Sequence, residues 1–179
     1  MSSPTSMRST PGYSPEVDYD GLLYRSLNPL YARQPLSGEG AARFGGRFNP
    51  RGTPALYTAL SVATAIREAN QVGDLQPTTL VAYRAKLTNL FDCRESAALA
   101  RFDMTAEALA DPAWREAMRK GGRAPTQEFA LALIAAGHPG LLVRSFARGA
   151  DASDLNIVLW RWAGNGAALT VIDDERRLA

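Results

Sequence analysis

Regular alternation of apolar and polar positions begins at Leu22. The run Leu22-Leu23-Tyr24-Arg25-Ser26-Leu27 predicts a strand over residues 22–27, stopped by Asn28-Pro29 because proline offers no ladder donor. A second strand is predicted over residues 55–59. Ser61 then supplies an N-cap for a helix from residue 62 to about 72, with Gly73 beyond its end. Residues 79–87 read as a strand, which Leu90-Phe91-Asp92 continues in the same sheet. The middle of the chain is helical. Asp111-Pro112 places a capping residue before a first-turn proline, and Gly121-Gly122 ends that segment. Thr126 is predicted to cap an apolar helix through Ala136, closed by Gly137 and Pro139. That helix has little polar face, which predicts burial. Three strands finish the chain, over residues 141–146, 156–162 and 168–172. Strands at both ends of a helical middle predict the α+β class, with a mixed or antiparallel sheet and flanking helices.

Residues 1–15 are rich in Ser, Pro, Thr and Gly, and they carry too little apolar surface to offset ordering. They are expected to form a disordered tail, leaving one domain over residues 16–179. A chain of 179 residues suffices for one real core but not two. Hydrophobic content of 46% and charged content of 21% are those of ordinary soluble globular proteins. The balance of 20 basic against 18 acidic residues does not compel nucleic-acid binding. A lone cysteine, Cys93, excludes an intrachain disulfide framework. No apolar run approaches the roughly 20 residues of a membrane span, and the N-terminus lacks the apolar core of a secretory signal. The expected location is the cytoplasm.

Several mechanisms lack their parts. One histidine and one cysteine, far apart, give no metal-ligand spacing, so no metal site is expected. His138 lies in the helix-ending turn Gly137-His138-Pro139-Gly140 and reads as structural, and Cys93 reads as a small buried apolar residue. No phosphate-loop lysine pattern occurs, nor a Gly-x-Gly-x-x-Gly run between strand and helix. What stands out is the block from Gly38 to Gly52, in which five glycines accompany Arg43, Arg47 and Arg51 just ahead of a predicted strand. Glycines let backbone amides approach a ligand, and arginine forks match phosphate geometry. The block therefore predicts a pocket for a phosphorylated ligand, against the alternative of a flexible, solvated loop.

The remaining candidates are Arg25, Arg47, Tyr57, Glu68, Ser145 and Asn156. Arg25 interrupts an apolar strand, where a charge is expensive unless it faces a polar pocket or a partner. At about 100° per residue, Val62, Ala65, Ile66, Ala69 and Val72 form an apolar arc of the predicted helix. Glu68 falls at its rim, where a carboxylate can look into a cleft, while Arg67 points away. Tyr57, mid-strand, suits either a core or a stacking role.

Taken in order, Tyr24-Arg25, Gly38-x-Gly40-Ala41, Gly45-Gly46-Arg47-Phe48-Asn49-Pro50-x-Gly52, Ala55-Leu56-Tyr57-Thr58 and Glu68 resemble the RES domain. Leu142-Val143-Arg144-Ser145 and Asn156-Ile157-Val158-Leu159-Trp160 resemble its serine-bearing region, so that the likeness runs from about residue 22 to 178. Phe48 stands where the family commonly has tryptophan, and Arg67 where an apolar residue is expected; Arg67 reads as surface variation. The resemblance implies a toxin of a bacterial type II toxin–antitoxin pair, similar in fold to bacterial ADP-ribosyltransferases, that consumes NAD+ as substrate and holds no permanent cofactor. It implies an Xre-type antitoxin partner, and Arg25, Glu68 and Ser145 as the family's arginine, glutamate and serine. Arg47, Tyr57 and Asn156 match neighbouring motif positions and would bind the dinucleotide.

NAD+ suits these residues. Arg25 and Arg47 could hold its diphosphate and adjoining ribose, and Tyr57 could stack on nicotinamide. Cleavage of the N-glycosidic bond passes through an oxocarbenium-like state, which a carboxylate at Glu68 would stabilise. Ser145 would orient Glu68 or the nicotinamide amide, and Asn156 would be a supporting donor. The ADP-ribose acceptor (water, phosphate or a protein side chain) stays open. So do two other classes, an RNA-targeting toxin and a non-catalytic module for a phosphorylated ligand. Scattered Arg115, Arg119, Lys120 and Arg123 form no aromatic-interleaved basic stripe that would favour RNA.

Overall fold

The structure, a computed structural model, describes residues 15–71 and 73–178. The expected tail therefore lies outside the described residues except for Pro15, which is buried and accepts a hydrogen bond from the Asp92 amide at 2.8 Å. Val72, counted in the apolar arc, also lies outside them.

Among the described residues seven strands, β1 (Glu16–Leu27), β2 (Leu56–Ala59), β3 (Thr79–Asp92), β4 (Gly140–Arg144), β5 (Leu155–Leu159), β6 (Ala163–Gly164) and β7 (Ala167–Val171), form one sheet in the order β1-β2-β5-β4-β3-β7-β6. Strand β1 also pairs with β3, from Glu16 opposite Phe91 to Leu27 opposite Thr79, so the first five strands of that order close into a barrel-like ring. Among the described strands only β3 and β4 run parallel. Among the described residues six α-helices connect them: α1 (Glu39–Phe44), α2 (Val62–Ala69), α3 (Ser96–Ala100), α4 (Ala106–Ala110), α5 (Trp114–Arg119) and α6 (Pro125–Ala135). The sheet is thus mixed and the class α+β, as the sequence predicts.

Closure gives the sheet two buried faces. Leu142, Ile157 and Leu159 turn inward onto Leu23, Tyr83 and Leu87. Leu141, Val143 and Val158 turn outward beneath Leu99, Leu109, Phe129 and Leu133 of the helices. Strands β4 and β5 are apolar at nearly every position for this reason.

Several boundaries differ from the sequence reading. Strand β1 begins six residues early because Val17 and Tyr19 are buried between exposed acids; a register shift separates them, where the Asp18 carboxylate accepts from the Asn89 amide. Helix α2 stops at Ala69, short of residue 72, because the Asn70 carboxamide donates to the Ile66 carbonyl at 2.6 Å and closes the last turn. Helix α6 starts one residue before the predicted cap. Ala124 is its N-cap and Pro125 its first residue, and the buried Gln127 carboxamide accepts from the Ala124 amide at 3.0 Å. Its burial is one-sided: Phe129, Ala130 and Leu133 face the core, whereas Glu128 and Ala132 are exposed. The final predicted strand pair resolves into β5 and a β6–β7 hairpin. Its two-residue turn, Asn165-Gly166, has φ of 48° and 80°, a geometry that asparagine and glycine tolerate best.

Ile157 is fully buried on the inner face, whereas Leu30 is 84% exposed. Replacing Ile157 by alanine is expected to lower stability by roughly 2–5 kcal/mol, and Leu30→Ala by less than about 0.5 kcal/mol, as read by chemical denaturation.

Candidate active site

Cross-strand alignment lays out the floor of a cleft. Tyr24 stands opposite Ala59, Ala59 opposite Asn156, and Asn156 opposite Val143, so one row of side chains from four strands shares the outer face. A second row joins Tyr57 to Val158. Together with Ser26 these residues line a cleft of about 460 Å³, walled by Ala65 and Glu68 of α2, by Arg47, and by Trp114 and Arg115 of α5 with Phe146. That volume lies within the range of small-ligand sites.

Helix α2 delivers Glu68 by a different face from the one its apolar residues outline. Val62 and Ile66 of the predicted arc are 39% and 38% exposed and Ala69 is exposed too, whereas Thr64 and Ala65 are buried. Glu68, four residues after Thr64 and three after Ala65, shares that buried side. Thr64 tolerates burial because its hydroxyl donates to the Asp154 carboxylate at 2.6 Å.

Three donors converge on Glu68. Its Oε1 accepts from Ser145 Oγ and from Asn156 Nδ2, each at 2.5 Å, and its Oε2 accepts from Gln71 Nε2. The structure thus joins Glu68, Ser145 and Asn156 directly, although they lie on α2, just after β4 and within β5. The Asn156 Oδ1 is buried without a partner.

Asp154 fixes that convergence. Its carboxylate receives Thr64 Oγ1, the Asp151 amide at 2.9 Å and Arg67 Nη1 at 2.6 Å, while its carbonyl accepts from the Ser145 amide at 2.7 Å. The Thr64 hydroxyl and the Asp151 amide hold its carboxyl below the usual carboxylate range. Arg67 does face away from the cleft, but it is not surface variation: it pairs α2 with the loop that carries Ser145.

The glycine-arginine block differs from the expected amide cradle. Its first half is helix α1, and its amides bond within the block: Gly45 to the Ala41 carbonyl at 2.7 Å, Gly46 to Asn49 at 2.9 Å and Gly52 to Ala42 at 2.8 Å. At the centre, the fully buried Asn49 donates to the carbonyls of Ala41 and Thr53 and accepts from the Tyr57 hydroxyl at 2.7 Å. That hydroxyl also accepts from the Phe48 amide at 3.0 Å, and a Cβ on Gly46 would stand 2.5 Å from it. Burial pushes the Tyr57 phenol well up. Tyr57 therefore lines the floor while its hydroxyl anchors the block. Gln127 secures the same turn, donating to the carbonyls of Gly46 at 2.9 Å and Asn49 at 3.3 Å. Phe48, in place of the family's tryptophan, is buried and its carbonyl accepts from Trp160 Nε1 at 2.9 Å. Arg47 emerges into the cleft wall, with Nη1 donating to the carbonyls of Leu109 at 2.7 Å and Asp111 at 2.9 Å.

Arg25 borders the cleft, but strand alternation puts its side chain on the inner face with Leu23 and Leu27, opposite to Tyr24 and Ser26. Its Nη1 donates to the carbonyls of Pro35 at 3.3 Å and Ser37 at 3.4 Å, beside the Tyr83 hydroxyl, which also bonds Pro35. The charge expected to face a pocket is thus tied to a loop. His138 bonds the Asn89 carbonyl through Nδ1 at 2.9 Å and packs edge-on to Phe91, and burial raises the Cys93 thiol. Both have structural surroundings. Among the described residues no group of three or more His, Cys, Asp or Glu side chains could hold a metal.

Sequence reasoning missed Trp114, Phe146, Gln71 and Gln127. Only Tyr24 among the unassigned cleft residues carried a signal, being next to Arg25 in the strand motif. Trp114 and Phe146 come to Arg47 from remote segments, and no local periodicity marks that meeting.

The mixed barrel-like sheet carries a glutamate held by serine and asparagine above its outer face, and the RES domain family model matches residues 22–179. The chain belongs to the RES domain family. It is 43% identical over 54 residues to a protein named Toxin Res from Photorhabdus laumondii subsp. laumondii, a match spanning 30% of this chain and 35% of that one. Its fold is similar to a chain in the crystal structure of the M. tuberculosis MbcT–MbcA toxin–antitoxin complex. The TM-score is 0.64 at 22% identity, covering 88% of this chain and 84% of that one.

Because the Asp154 carboxyl is depressed in the folded state, its contribution is complete above the unfolded value of about 4 and is lost as pH falls through the lower folded one. Asp154→Asn is therefore expected to lower Tm at pH 7, with the difference from wild type shrinking as the pH drops below about 4.

Proposed function

We propose that this chain is the toxin of a toxin–antitoxin pair and cleaves the nicotinamide–ribose bond of NAD+. The observation that carries the reading is the Glu68 carboxylate, pinned by Ser145 and Asn156 at a cleft whose wall presents Arg47. Membership in the RES domain family and a fold shared with a chain of a toxin–antitoxin complex support the toxin role.

In this mechanism the N-glycosidic bond breaks with its electron pair going to the pyridinium nitrogen. Nicotinamide leaves as a neutral molecule, so no general acid is needed. Positive charge develops on the ribose C1 and ring oxygen, and the Glu68 carboxylate stabilises it where water is partly excluded. Ser145 and Asn156 fix the carboxylate beforehand, so it need not reorganise as the charge appears. The acceptor oxygen then bonds to C1 and loses its proton. Water yields ADP-ribose, phosphate yields ADP-ribose 1″-phosphate, and a protein side chain yields a modified target. Tyr57 lies in the floor as a face for the nicotinamide ring, and Arg47 offers charge for the diphosphate. Arg25 acts from the border of the cleft, as a positioning residue that holds the loop through Pro35 and Ser37. The partner in this reading is an Xre-type antitoxin, and the compartment is the cytoplasm; among the described residues no helix is long and apolar enough to cross a membrane.

The test is nicotinamide release from NAD+ by purified protein. Glu68→Gln is expected to slow release about a hundredfold or more, and Ser145→Ala about tenfold, with melting curves confirming that both variants fold. Wild-type release by folded Glu68→Gln would overturn the mechanism. NAD+ binding without release would point to a passive module, and RNA cleavage in its place to an RNA-targeting toxin. Product masses with and without phosphate identify the acceptor.

A further inference from the structure

Helix α5 has no role in the reaction described above, yet it builds one wall of the cleft. The Arg47 guanidinium lies 4.4 Å from the Phe146 ring centroid and 5.8 Å from that of Trp114, and the Arg115 guanidinium lies 4.4 Å from the Trp114 ring. Two permanent positive charges therefore flank one indole. Burial, and after it Arg115, holds the Arg47 guanidinium below its ordinary value. Among the described residues neither forms an ion pair. One turn along the same helix, Arg119 and Lys120 both pair with Glu116, at 2.9 Å and 3.4 Å. The Trp114 Nε1–H is buried and has no hydrogen-bond partner, and neither has Ser26 Oγ on the cleft floor. A buried donor without an acceptor is rare in a folded protein and is costly to leave unmade.

We propose that Arg115 and Trp114, together with Arg47, form a subsite for the diphosphate of a nucleoside diphosphate, with the Trp114 Nε1–H donating to a phosphoryl oxygen. A diphosphate carries its charge on several outward oxygens, so it can engage two guanidiniums and an indole N–H at once, and its charge turns their repulsion into attraction. A lone carboxylate would leave one of the cations uncompensated. The choice of a nucleotide rests on the NAD+ reading; the anion chemistry rests on these three side chains alone.

The test is calorimetric titration of the full chain with ADP and with adenosine, which lacks the diphosphate. ADP is expected to bind at least about tenfold more tightly than adenosine. Arg115→Gln is expected to weaken ADP about tenfold and to flatten its salt dependence, without changing adenosine binding. Trp114→Phe keeps an aromatic ring but removes the donor, and is expected to weaken ADP about fivefold. Arg119→Gln, on the same helix, serves as a control and leaves ADP binding unchanged. Equal binding of ADP and adenosine by wild type, or full ADP affinity in folded Arg115→Gln, would overturn the subsite. Should Arg115→Gln not fold, the Trp114→Phe comparison decides. Arg115-dependent ADP binding in a protein that releases no nicotinamide would leave the subsite standing and overturn only the reaction.

Discussion

The ladder between β1 and β3 is the constraint on which the rest depends. It runs the length of both strands and turns an open sheet into a ring. A ring has an inside, so β4 and β5 must be apolar on both faces, and their outer face must be covered by helices. The cleft is where that cover is incomplete: the row from Tyr24 through Ala59 and Asn156 is roofed by α2 on one side and α5 on the other.

Within that frame, polar side chains do what apolar packing cannot. A hydrophobic contact tolerates sliding, but a carboxylate held at 2.5 Å by two donors does not. Asp154 ties the helix bearing Glu68 to the loop bearing Ser145, and Asn49 and Gln127 tie the glycine-arginine turn to α1 and α6. These buried polar groups are nearly all satisfied. The exceptions along the cleft, among the described residues, are Ser26 Oγ, Trp114 Nε1 and Asn156 Oδ1.

Much of this was legible in the chain. Hydrophobic alternation located the strands, and Ser61 caps α2 as its local chemistry predicts, its hydroxyl accepting from the Thr64 amide. The family motifs picked out Arg25, Glu68 and Ser145, with Arg47, Tyr57 and Asn156 as neighbouring positions, and the structure brings Ser145 and Asn156 onto Glu68. Helical periodicity, by contrast, misjudged the buried face of α2. It scores apolar residues, whereas Thr64 is buried because Asp154, ninety residues away, accepts its hydroxyl. An arginine inside an apolar strand needs a polar pocket or a partner, and Arg25, at the border of the cleft, finds a pair of loop carbonyls on the inner face.

The sequence by itself determined the α+β class and most of the elements, because periodicity and capping are properties of neighbouring residues, and its motif order singled out Glu68 through the family resemblance. Only the tertiary structure decided that the glycine block is a hydrogen-bonded platform, that Arg25 faces inward, and that Trp114, Arg115 and Phe146 gather around Arg47. Those outcomes follow from sheet closure and long-range hydrogen bonds, whose partners lie tens of residues apart and leave no local pattern in the chain.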